Sequence, residues 1–226
     1  MEDVFRGMQI VPMEIAHAAA LCEWRYEEPF DLFNWPAWED MQERAIEFGD
    51  PELRERQFAS IVNADGELLG FAQFFPLLGL TRLGIGMRPD LCGRGAGAAF
   101  IRLVAEEAAR RMPGDEIDLE VLTWNERAIR AYQRAGFVID DTYWRPTPTG
   151  PGEFYCMVYR PHSTSTSTNT STSTSTSSTS STTTSASNTD GNYRPIRPSA
   201  MSMNRMPFSD TAADTVRIHS RESRSA

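Results

Sequence analysis

Lysine is missing from this chain. All 22 basic residues are arginines, which removes any catalytic lysine. Cysteine is scarce and odd in number: Cys22, Cys92 and Cys156 are too widely spaced for a zinc knuckle and cannot pair off into a disulfide framework. Of the three histidines, His17 lies in an alanine-rich stretch that reads as helix packing, and His162 and His219 fall outside the expected core. No apolar run approaches the ~20 residues needed to cross a bilayer. The opening residues, Met1-Glu2-Asp3-Val4-Phe5-Arg6, lack the basic-then-apolar order of a secretory leader, so a cytoplasmic protein with no membrane partner is expected. Positive charge is short as well. Residues 1–162 hold 27 acidic side chains against 16 arginines, a net −11, and residues 163–226 carry +2. An acidic domain disfavours nucleic acid as a partner, because phosphate contacts need basic groups, and suits a cationic small substrate.

Composition changes abruptly after His162. From Ser163 to Ser187 every residue is Ser or Thr except Asn169 and Ala186. Such a segment has no apolar surface to offset its ordering entropy, so residues 163–226 are expected to be a disordered tail. Asn169-Thr170-Ser171 fits a glycosylation sequon, which carries no meaning without a secretory signal. That leaves residues 1–162 as a single domain.

Within it, Met8–Val11 reads as a short strand, Met13–Trp24 as a helix, Tyr26–Trp35 as an aromatic loop and Pro36–Gly49 as a second helix. Gln57–Asn63 and Glu67–Pro76 flank Ala64-Asp65-Gly66 as a hairpin. Arg82–Met87 continues the meander, followed by a helix over Gly95–Arg111, a strand over Ile117–Leu122 and a helix over Asn125–Ala135. Gly136 stands where a left-handed helix cap belongs, and Phe137–Trp144 and Glu153–Tyr159 close as strands. Antiparallel strands first and strand–helix alternation afterwards make a mixed α/β domain.

Glycine is concentrated between Arg82 and Gly97. Gly84 and Gly86 interrupt a strand, where glycine marks a bulge or a close approach of backbone. Gly93-Arg94-Gly95-Ala96-Gly97 then opens a helix, whose bare N–H groups and positive dipole end suit a phosphate. No Gly-Lys-Ser/Thr follows, so this is not a Walker loop. Gly93-x-Gly95-x-x-Ala98 matches the loose dinucleotide fingerprint, with Asp118 about 20 residues on. However, a loop with Pro89 separates it from its strand, and too little chain remains for further βαβ units. A pyrophosphate loop for coenzyme A is the third reading.

The stretch from Leu119 to Phe137 decides among them. A strand, Asn125, Ala128 three residues later, Tyr132 four further and then Gly136-Phe137 resemble the C-terminal signature of the GNAT N-acyltransferase superfamily. Cys92-Gly93-Arg94-Gly95-Ala96-Gly97 resembles that superfamily's acyl-CoA loop, with Cys92 where the pattern has Gln or Arg. The resemblance implies a central mixed sheet flanked by helices, acetyl-CoA as co-substrate, no metal, and acetyl transfer to a primary amine by direct attack. It implies main-chain N–H groups of Arg94, Gly95, Ala96, Gly97 and Ala98, beside Gly93, for the pyrophosphate. It also implies the Ile85-Gly86-Met87 strand, with an N–H near Met87, for the thioester carbonyl, and Asn125 as helix cap, pantetheine ligand or both.

Glu120 and Tyr132 fall where the ribosomal-protein-alanine branch places its base and its acid. The aromatic stretch Cys22–Phe30 departs from that branch. On alternation alone, Asp118 and Glu120 share one face of their strand, which means a solvent-filled pocket or an edge strand. Tyr132 is a proton donor or a packed aromatic, and Cys92, near a helix start, is open to a lowered thiol pKa. Trp24, Tyr26, Phe30, Phe33 and Trp35 interleave with Glu23, Glu27, Glu28 and Asp31. They form either a lid over a cationic amine or peptide N-terminus, or an ordinary buried loop. A non-catalytic acyl-CoA-binding or regulatory module is the rival to an enzyme, and a homodimer stays open.

Overall fold

The computed structural model describes residues 4–161; the Ser/Thr-rich tail expected from residue 163 onward lies outside the described residues. In chain order the elements are β1 (Gln9–Pro12), α1 (Ile15–Cys22), α2 (Trp38–Glu43), α3 (Pro51–Gln57), β2 (Phe58–Val62), β3 (Leu68–Leu77), β4 (Leu80–Met87), α4 (Gly97–Arg111), β5 (Glu116–Leu122), α5 (Glu126–Ala135), β6 (Phe137–Thr147) and β7 (Gly150–Tyr159). The seven strands form one sheet in the order β1-β2-β3-β4-β5-β7-β6. Among the described residues only β4 and β5 pair in parallel, joined by the crossover through α4.

The β2–β3 hairpin closes as expected. Asn63 Oδ1 accepts the N–H groups of Asp65 (3.0 Å) and Glu67 (2.9 Å), and Gly66 takes φ +81°, a side-chain-built turn. On one face of the sheet α4 buries Phe100, Ile101, Val104, Ala105 and Ala108 among Leu83, Leu119, Val121 and Met157. Fully burying a side chain such as Phe100 contributes about 1.5–3 kcal/mol. On the other face α1, α2 and the segment after it bring Leu21, Met41 and Phe48 against Phe58 and Phe71.

Two expectations change. The helix expected over Pro36–Gly49 is only α2. Gly49 lies against the backbone of α2, so close that a Cβ there would sit 2.1 Å from the Met41 oxygen. To make that return the chain takes positive φ at Ala45 (+49°) and Glu47 (+48°). A further helix, α3, then starts where none was expected. Asp50 caps it, accepting from Glu52 N (2.8 Å) and Leu53 N (3.2 Å), and Pro51 occupies its first turn. The second change concerns β5. It lies between β4 and β7 rather than at an edge, and Asp118 and the Glu120 side chain are buried against arginines, so neither the edge-strand nor the solvent-filled-pocket account of the two acids holds.

Candidate active site

The parallel ladder between β4 and β5 runs from Leu80↔Glu116 to Leu83↔Leu119 and stops. Both strands continue, β4 to Met87 against β3 and β5 to Leu122 against β7. Their upper halves therefore diverge. Which main-chain groups face the gap follows from alternation. Arg88 N donates to Leu69 O (2.8 Å) across to β3, so Gly86 and Gly84 also bond to β3. Ile85 and Met87 present their N–H and C=O groups on the opposite edge, toward the gap. On the other bank, Glu120 is half-buried as a residue although its side chain is only 1% exposed. What lies open there is its backbone.

Gly86 serves crowding on one face of β4. A Cβ there would come within 2.1 Å of the Phe71 ring. The glycine loop lies beyond the end of β4. Gly93 (φ +81°) and Gly95 (φ +93°) are both left-handed, and Arg94 between them is exposed. Phe100 N is the first amide to reach back into α4, bonding Ala96 O (3.0 Å). The N–H groups of Gly97 and Ala98 thus have no acceptor within the helix, whose first turn holds no acid. Gly97 also lets α4 approach α5, since a Cβ there would be 3.3 Å from Ala131 Cβ.

On α5, Asn125 is the N-cap: its Oδ1 accepts Ala128 N at 3.2 Å. Gly136 (φ +106°) ends the helix in the left-handed region. Tyr132 packs its ring against Phe137, centroids 6.1 Å apart, and burial pushes its phenol pKa up to about 12. The Cys92 thiol is pushed up by burial, not lowered as its place near a helix start suggested. Its Sγ lies 3.7 Å from Met87 O and 3.6 Å from Arg88 O.

Glu120 is not isolated. Arg82 grips Asp118 at two points, Nε to Oδ1 (2.9 Å) and Nη2 to Oδ2 (2.7 Å), and its Nη1 donates to Glu120 Oε1. Tyr143 O–H donates to the same Oε1. Arg145 Nη1 stands 3.0 Å from Glu120 Oε2, and its guanidinium lies over the Phe154 ring at 4.0 Å. Two carboxylates and two guanidiniums thus balance in a buried cluster. Asp118, fully buried here, is not placed to read a ribose. Arg82, Tyr143 and Arg145 were not singled out as site residues.

The aromatic loop after α1 spans the gap. Tyr26 O–H donates to Met87 O (2.7 Å) on the β4 bank. Phe30 packs on Trp124 (5.5 Å) and carries Arg127 over its ring (4.4 Å) on the β5–α5 bank. Leu32 and Phe33 pack with Leu122, Phe154 and Tyr143. Trp35 instead enters the core beside Phe48 (4.7 Å), with Trp24 in the same cluster. Asn34 pins the loop to itself, accepting Tyr26 N (2.7 Å) and donating to Tyr26 O (3.2 Å). Among the described residues there is no group of three metal-ligating side chains, and no helix is long and apolar enough to cross a membrane.

The model of the acetyltransferase (GNAT) family matches residues 18–137. A search of curated proteins returned no match. Solved structures share the architecture. A GNAT-family acetyltransferase from Bacillus anthracis aligns with TM-score 0.56 and 13% identity over 68% of this chain and 95% of that one. AAC(6')-Ib in complex with ribostamycin and coenzyme A aligns at 0.53 and 23%, over 68% and 93%. The spermidine/spermine N-acetyltransferase SpeG from Vibrio cholerae, in complex with manganese ions, aligns at 0.52 and 14%, over 67% and 91%.

Proposed function

This chain belongs to the GNAT acetyltransferase family, and from that premise we propose that it moves an acetyl group from acetyl-CoA to a small primary amine by direct attack. The observation that carries the reading is the divergence of β4 from β5 beyond Leu83↔Leu119, with the uncapped start of α4 at the same end of the sheet. An open strand edge of alternating N–H and C=O groups is a hydrogen-bonding partner for an amide-bearing arm, and a helix start is one for phosphate.

In this reading Gly93, Arg94, Gly95, Ala96, Gly97 and Ala98 hold the pyrophosphate. Ile85, Gly86 and Met87 line the arm, and Asn125 adds a side-chain amide beside its capping bond. Acetyl-CoA supplies a thioester whose carbonyl becomes negative on attack, and the Met87 N–H is the donor aimed at that charge. Glu120 accepts the proton the amine must lose. Tyr132 keeps its own proton well above neutral pH and gives it to the departing thiolate. The net −11 of residues 1–162 supports a cationic acceptor through steering, as do relatives of this fold named for spermidine and spermine or bound to ribostamycin.

Thermal-shift measurements with acetyl-CoA, CoA, NAD and NADP, followed by thiol release from acetyl-CoA across a panel of amines, test this. Stabilisation by both coenzyme A forms and turnover of a primary amine are expected. Stabilisation without turnover of any amine would favour a binding module, and stabilisation by a nicotinamide coenzyme alone would remove the reading altogether.

A further inference from the structure

Glu47 is a half-buried carboxylate that no arginine pairs with. It lies in the return after α2 at φ +48°, a left-handed conformation that a non-glycine residue adopts at a cost. The next side chain, Phe48, is packed between Trp35 and Phe58, which fixes the backbone that presents the carboxylate. Among the described residues its one partner is the Gln73 amide, whose Nε2 donates to Glu47 Oε2 (3.1 Å) and to Gln57 Oε1 (3.3 Å). Asp118 and Glu120, by contrast, are matched by Arg82 and Arg145. Burial pushes the Glu47 carboxyl up from its ordinary value, against the smaller downward pull of the Gln73 bond.

The carboxylate stands beside the gap. Gln73 shares one face of β3 with Phe71 and pairs with Gly84 on β4. Its Oε1 lies over Gly84, 3.1 Å from where a Cβ would stand. Gly84 directly follows Leu83, the last β4 residue of the ladder to β5. Having no side chain and being only half-buried, it leaves β4 open at that point. Glu47 Oε1 and Gln73 Oε1 accept no hydrogen bond among the described residues, and neither is a buried atom. Two oxygen acceptors open to solvent, one of them charged and unmatched, complement a cation that donates N–H bonds.

We propose that Glu47, held by Gln73, anchors a second ammonium group of the acceptor, so that the substrate is a diamine or a longer polyamine. The proposal rests on the reading of the acceptor as an amine. A nitrogen bound to a carboxylate keeps its proton, because the pair favours both charged forms. It has no lone pair for attack, so the reacting nitrogen is another one on the same molecule, reaching into the gap. No covalent bond changes at the anchor: the ammonium exchanges water for Glu47 Oε1 and Gln73 Oε1. Glu47, Gln57 and Gln73 come from the return after α2, the end of α3 and the middle of β3, which is why no local motif contains them.

The test uses the full chain with coenzyme A present for binding and acetyl-CoA for turnover. Its probes are diaminobutane, a dication, and butylamine, a monocation of the same carbon length. Wild type should bind diaminobutane more tightly than butylamine by calorimetry and turn it over with the higher kcat/KM. Glu47→Gln keeps the side chain's shape, and its neutral amide costs less to bury than a carboxylate, so the variant should fold. In it the preference for diaminobutane over butylamine should fall by about tenfold to a hundredfold, the span for one hydrogen bond to a charged group, and the loss should appear in KM rather than kcat. Gln73→Met removes the neighbouring oxygen and the bond that fixes Glu47, and should lose part of the same preference.

An undiminished preference in folded Glu47→Gln would overturn the proposal. So would a wild type that takes diaminobutane no better than butylamine, or equal losses for the two amines, which mark a structural role. Binding of diaminobutane that depends on Glu47, without thiol release from acetyl-CoA on any amine, would remove the acetyl-transfer reading and leave Glu47 standing as a cation anchor.

Discussion

Tyr26 and Met87 stand 61 residues apart, and the phenol of the first donates to the main-chain oxygen of the second at 2.7 Å. That contact ties the loop after α1 to the β4 bank of the gap, while Phe30 ties it to Trp124 on the other bank. In sequence the loop reads either as a lid over the amine or as an ordinary buried loop. Its attachment to Met87 sets it on the β4 edge that the proposed function gives to the coenzyme.

Tyr26→Phe should therefore change the Michaelis constants of both substrates, not only that of the amine. One neutral hydrogen bond contributes about 1 kcal/mol, so a melting temperature lower by about 2–4 °C is also expected. Steady-state kinetics with each substrate varied in turn would check this. A change confined to the amine would place the loop's influence on the acceptor side only.

Gly95 sits at φ +93° with open space where a Cβ would go. The position is left-handed but uncrowded, so a side chain meets backbone strain rather than a clash. Gly95→Val should lose acetyl-CoA binding by calorimetry because the loop no longer presents its N–H groups in the same array. Strain of about 1–3 kcal/mol leaves a domain of this size folded at lower melting temperature. Wild-type affinity in the folded variant would refute the loop's role.

How much of this was legible in sequence depended on distance along the chain. Asn125, Ala128, Tyr132 and Gly136 lie within one helix and its caps, so their spacing alone placed them on α5. The glycine loop was readable for the same reason. Arg82 meets Glu120 across 38 residues and Tyr143 meets it across 23. The first meeting depends on β4 pairing with β5 and the second on β7 inserting between β5 and β6, and no local pattern encodes either. The helix α3 is a different case. Asp50-Pro51-Glu52 is a local start signal, but the pattern from Pro36 to Gly49 reads as one helix, and nothing in its spacing reveals the turn that Gly49 makes against Met41.

Arg82 is the hinge of the buried charge cluster, only 8% exposed. Arg82→Met would leave Asp118 and Glu120 facing one another with Arg145 alone for balance. Breaking a buried pair by removing one partner costs about 3–5 kcal/mol, which is on the order of 10 °C in melting temperature. Arg82→Lys should recover little, since an ammonium cannot grip Asp118 at two points while also reaching Glu120. Scanning calorimetry of both variants would measure this, and an Arg82→Lys protein as stable as wild type would mean that charge alone, not the two-point grip, carries the contribution.

Tyr132 separates a proton donor from a packing residue by the sign of its pH effects. Burial raises its pKa from the ordinary 10 to about 12. The donating form is the protonated one, so activity that needs it should stay on a plateau past pH 10, with its alkaline limb nearer 12. Stability follows the same shift. The buried neutral phenol contributes fully below pH 10. Between 10 and about 12 the unfolded chain releases its proton while the folded one keeps it, so that contribution fades as pH rises. Tyr132→Phe lacks the group altogether. Its melting temperature should therefore fall less steeply than that of wild type above about pH 10. If Tyr132 protonates the thiolate, the same variant should lose about 10²–10⁴ in kcat, the usual span for one general acid, and the alkaline limb assigned to it. Coenzyme affinity should stay close to wild type, because the ring and its contact with Phe137 remain. Turnover at wild-type rate with an unchanged pH profile, alongside the flatter alkaline melting curve, would assign Tyr132 to packing and leave the acyl-CoA site standing without it.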